Sequence, residues 1–163
     1  MEKEKIIFHP IGTINSPHQD LRGMPIQPAA AAGVKGSVTV DPQFQEGLKD
    51  LEGFSHLILV YHFHQAKTPV LLTKPFLDDI KRGVFATRTP RRPNRIGISV
   101  VKLLSIEGNR LAIENLDILD GTPLLDIKPY VPDFDGVDEV RIGWLENRRG
   151  EIRGKKSDDR FLK

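Results

Sequence analysis

The chain has 163 residues, 39% hydrophobic and 28% charged, which suits one core and a single domain with at most a short tail. Its 24 Lys and Arg nearly offset 22 Asp and Glu, so the net charge is +2 and a strongly acidic or strongly basic chain is excluded. There is no cysteine, which rules out disulfides and thiolate-bound zinc and fits a reducing compartment.

Met1-Glu2-Lys3-Glu4-Lys5 does not resemble a signal peptide, and no apolar stretch approaches membrane-spanning length, so a soluble, cytoplasmic protein is expected. Ile6 to Ile14 reads as a first strand ending at Ser16-Pro17, followed by an irregular Pro-, Gly- and Ala-rich loop over His18 to Gly33. Gly36 to Val40 alternates as a strand does. Phe44, Leu48 and Leu51 are spaced for a short helix over Phe44 to Leu51. His56 to His64 is a continuous β-favouring run and is expected to be a central strand.

Pro69 and Pro75 break the long connection from Thr68 to Arg82, which leaves room for a helical turn at Leu77 to Lys81. Gly83 to Thr87 looks strand-like. Gly97 to Ile106 and Leu111 to Leu116 form a predicted hairpin turning at Glu107-Gly108-Asn109, and Leu124 to Lys128 is a further short strand. Val137 to Arg149, with Trp144, is read as a closing helix, and residues from Gly150 onward as a frayed polar end. Short strands with turns every eight to twelve residues indicate a mainly antiparallel barrel or sandwich.

The charge is clustered. Arg88-Thr89-Pro90-Arg91-Arg92-Pro93-Asn94-Arg95 puts four guanidinium forks on a loop stiffened by two prolines, which suits an anionic ligand. A second basic block runs from Arg148 to Lys156, and aspartates are frequent from Asp117 to Asp138. Separate basic and acidic patches suggest two ligands of different character.

Asp117 and Asp120 flank a bend at Asp120-Gly121, where a carboxylate can accept from ribose hydroxyls, balance a cation or serve as a base; backbone turn preference alone also explains them. Asp126 lies in an apolar stretch, and Lys128, on the same strand face, is its expected partner. His56, His62 and His64 share parity, but no distant His or Glu completes a metal-binding spacing, so no metal is expected. A neutral His64 with Gln65, hydrogen-bonding a ligand at the strand end, is preferred. Neither a dinucleotide-binding glycine motif, a phosphate-cradling loop nor a nucleophile elbow is present.

Taken together, Gly12-Thr13-Ile14-Asn15-Ser16-Pro17, Leu51-Glu52-Gly53-Phe54-Ser55-His56-Leu57, Phe63-His64-Gln65, Gly83-Val84-Phe85-Ala86-Thr87-Arg88, Arg92-Pro93-Asn94 with Ile96-Gly97, and Asp120-Gly121-Thr122-Pro123 with Asp126-Ile127-Lys128-Pro129-Tyr130 closely resemble the TrmO family. Its members are S-adenosylmethionine-dependent tRNA methyltransferases that act on N6 of threonylcarbamoyladenosine beside the anticodon. The likeness runs from about Ile11 to about Leu145.

The resemblance implies a mainly β fold: a single-sheet antiparallel β-barrel with a few short helices, unlike the Rossmann methyltransferases, working as a homodimer with the donor near the subunit interface. Residues 1–146 would form that barrel domain and 147–163 a polar, basic tail. The resemblance places donor binding at Pro28, Ala29 and Ala30, at His64 and Gln65, at Arg88, at Ile98, and at Leu116, Asp117, Asp120, Gly121 and Thr122. Pro28-Ala29 stands where Pro-Gly is usual. Arg91, Arg92, Arg95, Lys128 and Tyr130 are the expected contacts to the tRNA anticodon loop; Arg95 stands where other residues also occur. Bacterial members often carry an added carboxy-terminal domain, and without one the grip on tRNA is expected to come from elsewhere.

The acceptor nitrogen is conjugated to a carbonyl and is a poor nucleophile, so Asp126 and Asp120 are the candidate bases. Alignment alone reaches effective molarities of about 10⁵ M or more. The rival readings are a non-enzymatic RNA-binding barrel and a metal hydrolase built on the three histidines.

Overall fold

The computed structural model describes residues 3–26, 30–152 and 156. Six antiparallel strands close into a barrel. In chain order they are β1 (Gly12–Asn15), β2 (Lys35–Val40), β3 (His56–His62), β6 (Ile96–Glu107), β7 (Arg110–Glu114) and β8 (Thr122–Pro129). Around the barrel the order is β1-β2-β7-β6-β3-β8, and β8 pairs back onto β1. Between β3 and β6 lies a separate two-stranded hairpin, β4 (Leu72–Thr73) against β5 (Arg82–Gly83). The barrel and its few short helices match the fold that the family resemblance implies. Among the described residues no helix is long and apolar enough to cross a membrane.

Period-two alternation fills the interior. Strand β3 buries Leu57, Leu59 and Tyr61 and turns His56, Ile58, Val60 and His62 outward. Ile14, Val38, Val40, Val101, Leu111, Ile113 and Leu124 meet them inside, and Leu116 and Ile118 close the top. Tyr61 lies opposite Gly97 in the β3–β6 ladder, and its ring packs edge-on against Phe63 at 5.4 Å. A Cβ on Gly97 would come within 2.6 Å of Tyr61 Cζ and 2.8 Å of Phe63 Cζ, so both rings depend on glycine there. The β6–β7 hairpin turns at Gly108-Asn109, and Gly108 has the φ of +60° that this tight turn needs.

Several local expectations are corrected. The first strand starts only at Gly12, because Pro10 has no N–H to extend the ladder; Ile6, Ile7 and Phe8 stay exposed. The Phe44–Leu51 helix is a pair of 3₁₀ segments, Pro42–Leu48 and Leu51–Gly53, interrupted where Asp50 takes a φ of 67°; buried Leu48 joins the core from the first of them. Leu77 to Lys81 is a turn tied by the Arg82–Asp78 ion pair, not a helix. Only Gly83 of the Gly83–Thr87 run is in a strand, since Val84–Ala86 coils into a 3₁₀ turn. The closing helix is impossible as a continuous element: Glu139 and Gly143 have φ of 55° and 58°. A 3₁₀ segment, Gly143–Glu151, takes its place, and a short helical turn, α1 (Pro132–Asp135), precedes it.

Candidate active site

Connections 16–34, 63–95 and 115–121 emerge at one end of the barrel, and their polar side chains interlock there. Asn115 at φ 67° and Gly121 at φ 73° bracket the last of these, so its chain folds back over the barrel mouth. Ser16 laces it down. Its N–H donates to Asp120 Oδ1 at 2.9 Å, its Oγ donates to Ile118 O at 2.6 Å, and the Asp120 N–H donates to His18 O at 2.8 Å. The His18 ring is bonded through Nε2 to Leu116 O at 2.9 Å. The Ser16 N–H, followed by the Gln19 side chain, holds Asp120 below the usual carboxylate range. Asp120 is therefore an ionised brace for the bend.

Beneath the bend is a buried relay. Ser99 Oγ donates to Asp117 Oδ1 at 2.6 Å and, having spent its proton, accepts from Tyr61 OH at 3.0 Å. Asp117 is only 8% exposed. Burial pushes its carboxyl from 3.8 up to about 7, against the Ser99 hydrogen bond and the positive charge of Arg88. Burial, then the Asp117 charge, pushes the Tyr61 phenol well above its ordinary value, and Arg88 opposes that as well. Exposed Arg88 is thus electrostatically coupled to a carboxyl poised to change charge near neutrality.

His64 lies just past the end of β3. Thr122 Oγ1 spends its proton on Leu119 O at 2.7 Å, so the 3.4 Å contact with His64 Nδ1 requires the imidazole to donate. Desolvation, then the neighbouring His62, lowers the His64 pKa. The ring is neutral at pH 7, with a lone pair on Nε2 as an acceptor.

The arginines divide by role. Arg92 Nη1 donates to Thr87 O at 2.9 Å and Thr89 O at 3.3 Å, bracing the loop from within. Arg91 Nε donates to Thr68 O at 3.0 Å, and its carbonyl accepts from Val70 N–H at 3.1 Å, which ties the loop to the chain before β4. The Arg95 carbonyl accepts from Phe63 N–H at 2.9 Å.

His64, Gln65, Arg88, Leu116, Asp117, Asp120, Gly121 and Thr122 therefore share one rim with the arginine loop. Others do not. Ile98 faces outward on β6 opposite Val60. Asp126 and Lys128 pair at 2.7 Å on the outer wall of β8, as their shared parity predicts. Tyr130 lies farther along, its ring edge-on to His56 at 6.5 Å. Pro28 and Ala29 fall outside the described residues, and Ala30 is half-buried. A cavity of about 380 Å³ opens at the opposite barrel end, lined by Ile11, Val40, Phe44, Leu48, Asp126 and Ile127. Among the described residues no group of three or more His, Asp or Glu is arranged to hold a metal ion.

Sequence reasoning missed Tyr61, Ser99, Ser16 and His18. Inward parity with Leu57 and Leu59 on β3, and with Val101 on β6, was the available signal for the first two.

The family profile described as tRNA-methyltransferase O N-terminal domain matches residues 13–136. A Pyrococcus abyssi protein named a probable S-adenosyl-L-methionine-binding protein is 56% identical over 157 residues, covering 96% of this chain and 85% of that one. A Mus musculus tRNA (adenine(37)-N6)-methyltransferase is 32% identical over 149 residues, covering 87% of this chain and 35% of its own length. The crystal structure of TrmO from Pseudomonas aeruginosa superposes with a TM-score of 0.73 at 41% identity, over 86% of this chain and 63% of that one. This chain thus spans less than two thirds of the solved bacterial protein and about a third of the mouse enzyme. With its closed barrel and its interlocked rim, the chain belongs to the tRNA-methyltransferase O N-terminal-domain family.

Proposed function

We propose that this chain transfers a methyl group from S-adenosylmethionine to tRNA, at N6 of threonylcarbamoyladenosine beside the anticodon. The observation that carries the reading is the buried Asp117 carboxyl, coupled to Arg88 and lying under the same rim as neutral His64. That set suits a ligand with a cation, a carboxylate and hydrogen-bonding rings. S-adenosylmethionine, when bound, supplies an electrophilic methyl carbon on a sulfonium.

Every other part falls to this chain's own groups. Arg88 pairs with the amino-acid carboxylate, and ionised Asp117 favours the positive charge. His64 Nε2, Gln65 and the backbone groups of 116–122 orient the ribose and adenine, with Asp120 and Ser16 keeping that backbone in place. Arg91 and Arg95 meet tRNA phosphates or the threonyl carboxylate, on a loop that Arg92 keeps rigid. The work is chiefly alignment of donor and acceptor.

The reading includes a homodimer. Ile96, Ile98 and Val100 form an exposed apolar row on β6, beside Asp126 and Lys128 across β3. Seating that wall near a second copy's rim would bring Ile98 and Asp126 to a donor they cannot reach within one chain. Both candidate bases are engaged within one chain, Asp120 by the Ser16 N–H and Asp126 by Lys128, and Asp126 serves as a base once that ion pair opens. A tRNA substrate also implies the cytoplasm. The test is transfer of label from methyl-labelled donor to tRNA: counts in tRNA that vanish with Arg88→Ala support the reading, and donor binding without transfer to any tRNA refutes it.

A further inference from the structure

We propose that the β4–β5 hairpin and the turn after it form a stacking platform for one unpaired RNA base, with Phe85 as its face. This rests on tRNA being the substrate and adds where its loop is gripped. Residues 67–95 carry eight Lys and Arg against two Asp, in a chain whose net charge is +2. In that cationic stretch, Leu71 is 69% exposed, Leu72 62%, Ile80 59% and Phe85 75%. An apolar protein partner would have to strip water from the surrounding cations to cover these side chains. A single-stranded RNA loop instead offers phosphates to the cations and a π-face to the phenyl ring.

The backbone under Phe85 is already fixed. Val84 before it is buried and donates its N–H to Leu71 O at 2.9 Å, and the Ala86 carbonyl after it accepts from Trp144 Nε1 at 2.9 Å. Trp144 in turn lies 5.6 Å from the Arg82 guanidinium, which Asp78 holds from the side. The backbone that carries the ring therefore has little freedom left to lose when a base lands on it. Phe85 is three residues from Arg88, a reach of at most about 11 Å along the chain, so the platform adjoins the rim. An acceptor base drawn out of its stack leaves its neighbour short of a stacking partner, and Phe85 supplies one.

The test is fluorescence anisotropy of an anticodon stem-loop RNA against the full chain and its Phe85→Ala, Phe85→Leu and Phe85→Trp variants. Alanine and leucine should each weaken binding about tenfold, while tryptophan stays within about twofold of the parent. The slope of log affinity against log salt should be the same in all four, because the phosphate contacts are untouched. Calorimetry should give every variant the parent's donor affinity, and the exposed position should leave the melting temperature unchanged. Undiminished RNA binding by Phe85→Ala overturns the platform, and so does leucine performing as well as phenylalanine. Dissociation of an assembly by Phe85→Ala in sedimentation overturns it in favour of a contact between copies. A parent protein that binds donor but no RNA removes the tRNA reading itself, which is a separate failure.

Discussion

Replacing Asp117 by Asn removes a titratable group from the interior while keeping the acceptor oxygen that Ser99 uses. The unfolded carboxyl titrates near 3.8 and the folded one near 7, so between those values the folded chain holds a proton that the unfolded chain has released. With the folded pKa raised, the contribution to stability is complete below 3.8 and is lost as pH rises towards 7. Unfolding free energy should fall by about 1.4 kcal/mol per pH unit across the window, to a total of about 4 kcal/mol. The Asn variant has no such term, though its amide N–H groups need acceptors and cost about 1 kcal/mol at all pH values. Urea unfolding from pH 5 to pH 8 should therefore show the two proteins within about 1 kcal/mol of each other at the acid end and the variant about 3 kcal/mol more stable at the alkaline end. Parallel curves for the two proteins over that range would show that Asp117 is not the buried, poised carboxyl described above.

Three further outcomes follow from the same geometry. Ser99→Ala removes the hydrogen bond that lowers the Asp117 pKa, so the carboxyl's titration, followed by carbon NMR, should move to higher pH. Donor affinity measured by calorimetry should rise with pH through about 7, because ionised Asp117 favours a cation; Asp117→Asn should flatten the profile, and S-adenosylhomocysteine, which lacks the sulfonium charge, should show less of it. Gly97→Ala drives a methyl group into the Tyr61 and Phe63 rings and should lower stability by about 1–3 kcal/mol in chemical denaturation.

The barrel was legible wherever alternation and turn chemistry agreed. The β3 run, the β6–β7 hairpin and its Gly108 turn stand as the pattern implies, and the i, i+2 spacing of Asp126 and Lys128 correctly paired them on one face. Segments whose conformation rests on single backbone angles were not legible: nothing in the apolar spacing of Val137 to Arg149 reveals the left-handed Glu139 that forbids a helix. The two-residue strands β4 and β5 are too short to carry a period. The candidate site was half visible. Chemistry-bearing side chains on loops drew attention as residues, but the relay from Tyr61 through Ser99 to Asp117 joins positions 38 and 18 residues apart and exists only once the sheet has closed. Arg92 is legible in the sequence only as a cation on the loop; the bonds from its Nη1 to the Thr87 and Thr89 carbonyls, which brace that loop, depend on the folded turn.

Mass spectrometry of nucleosides from tRNA incubated with the protein and S-adenosylmethionine tests the central claim most directly. One added methyl on threonylcarbamoyladenosine, carried on the base nitrogen and absent when the donor is omitted, is the expected result. A protein that binds the donor yet leaves every tRNA nucleoside at its original mass would contradict it.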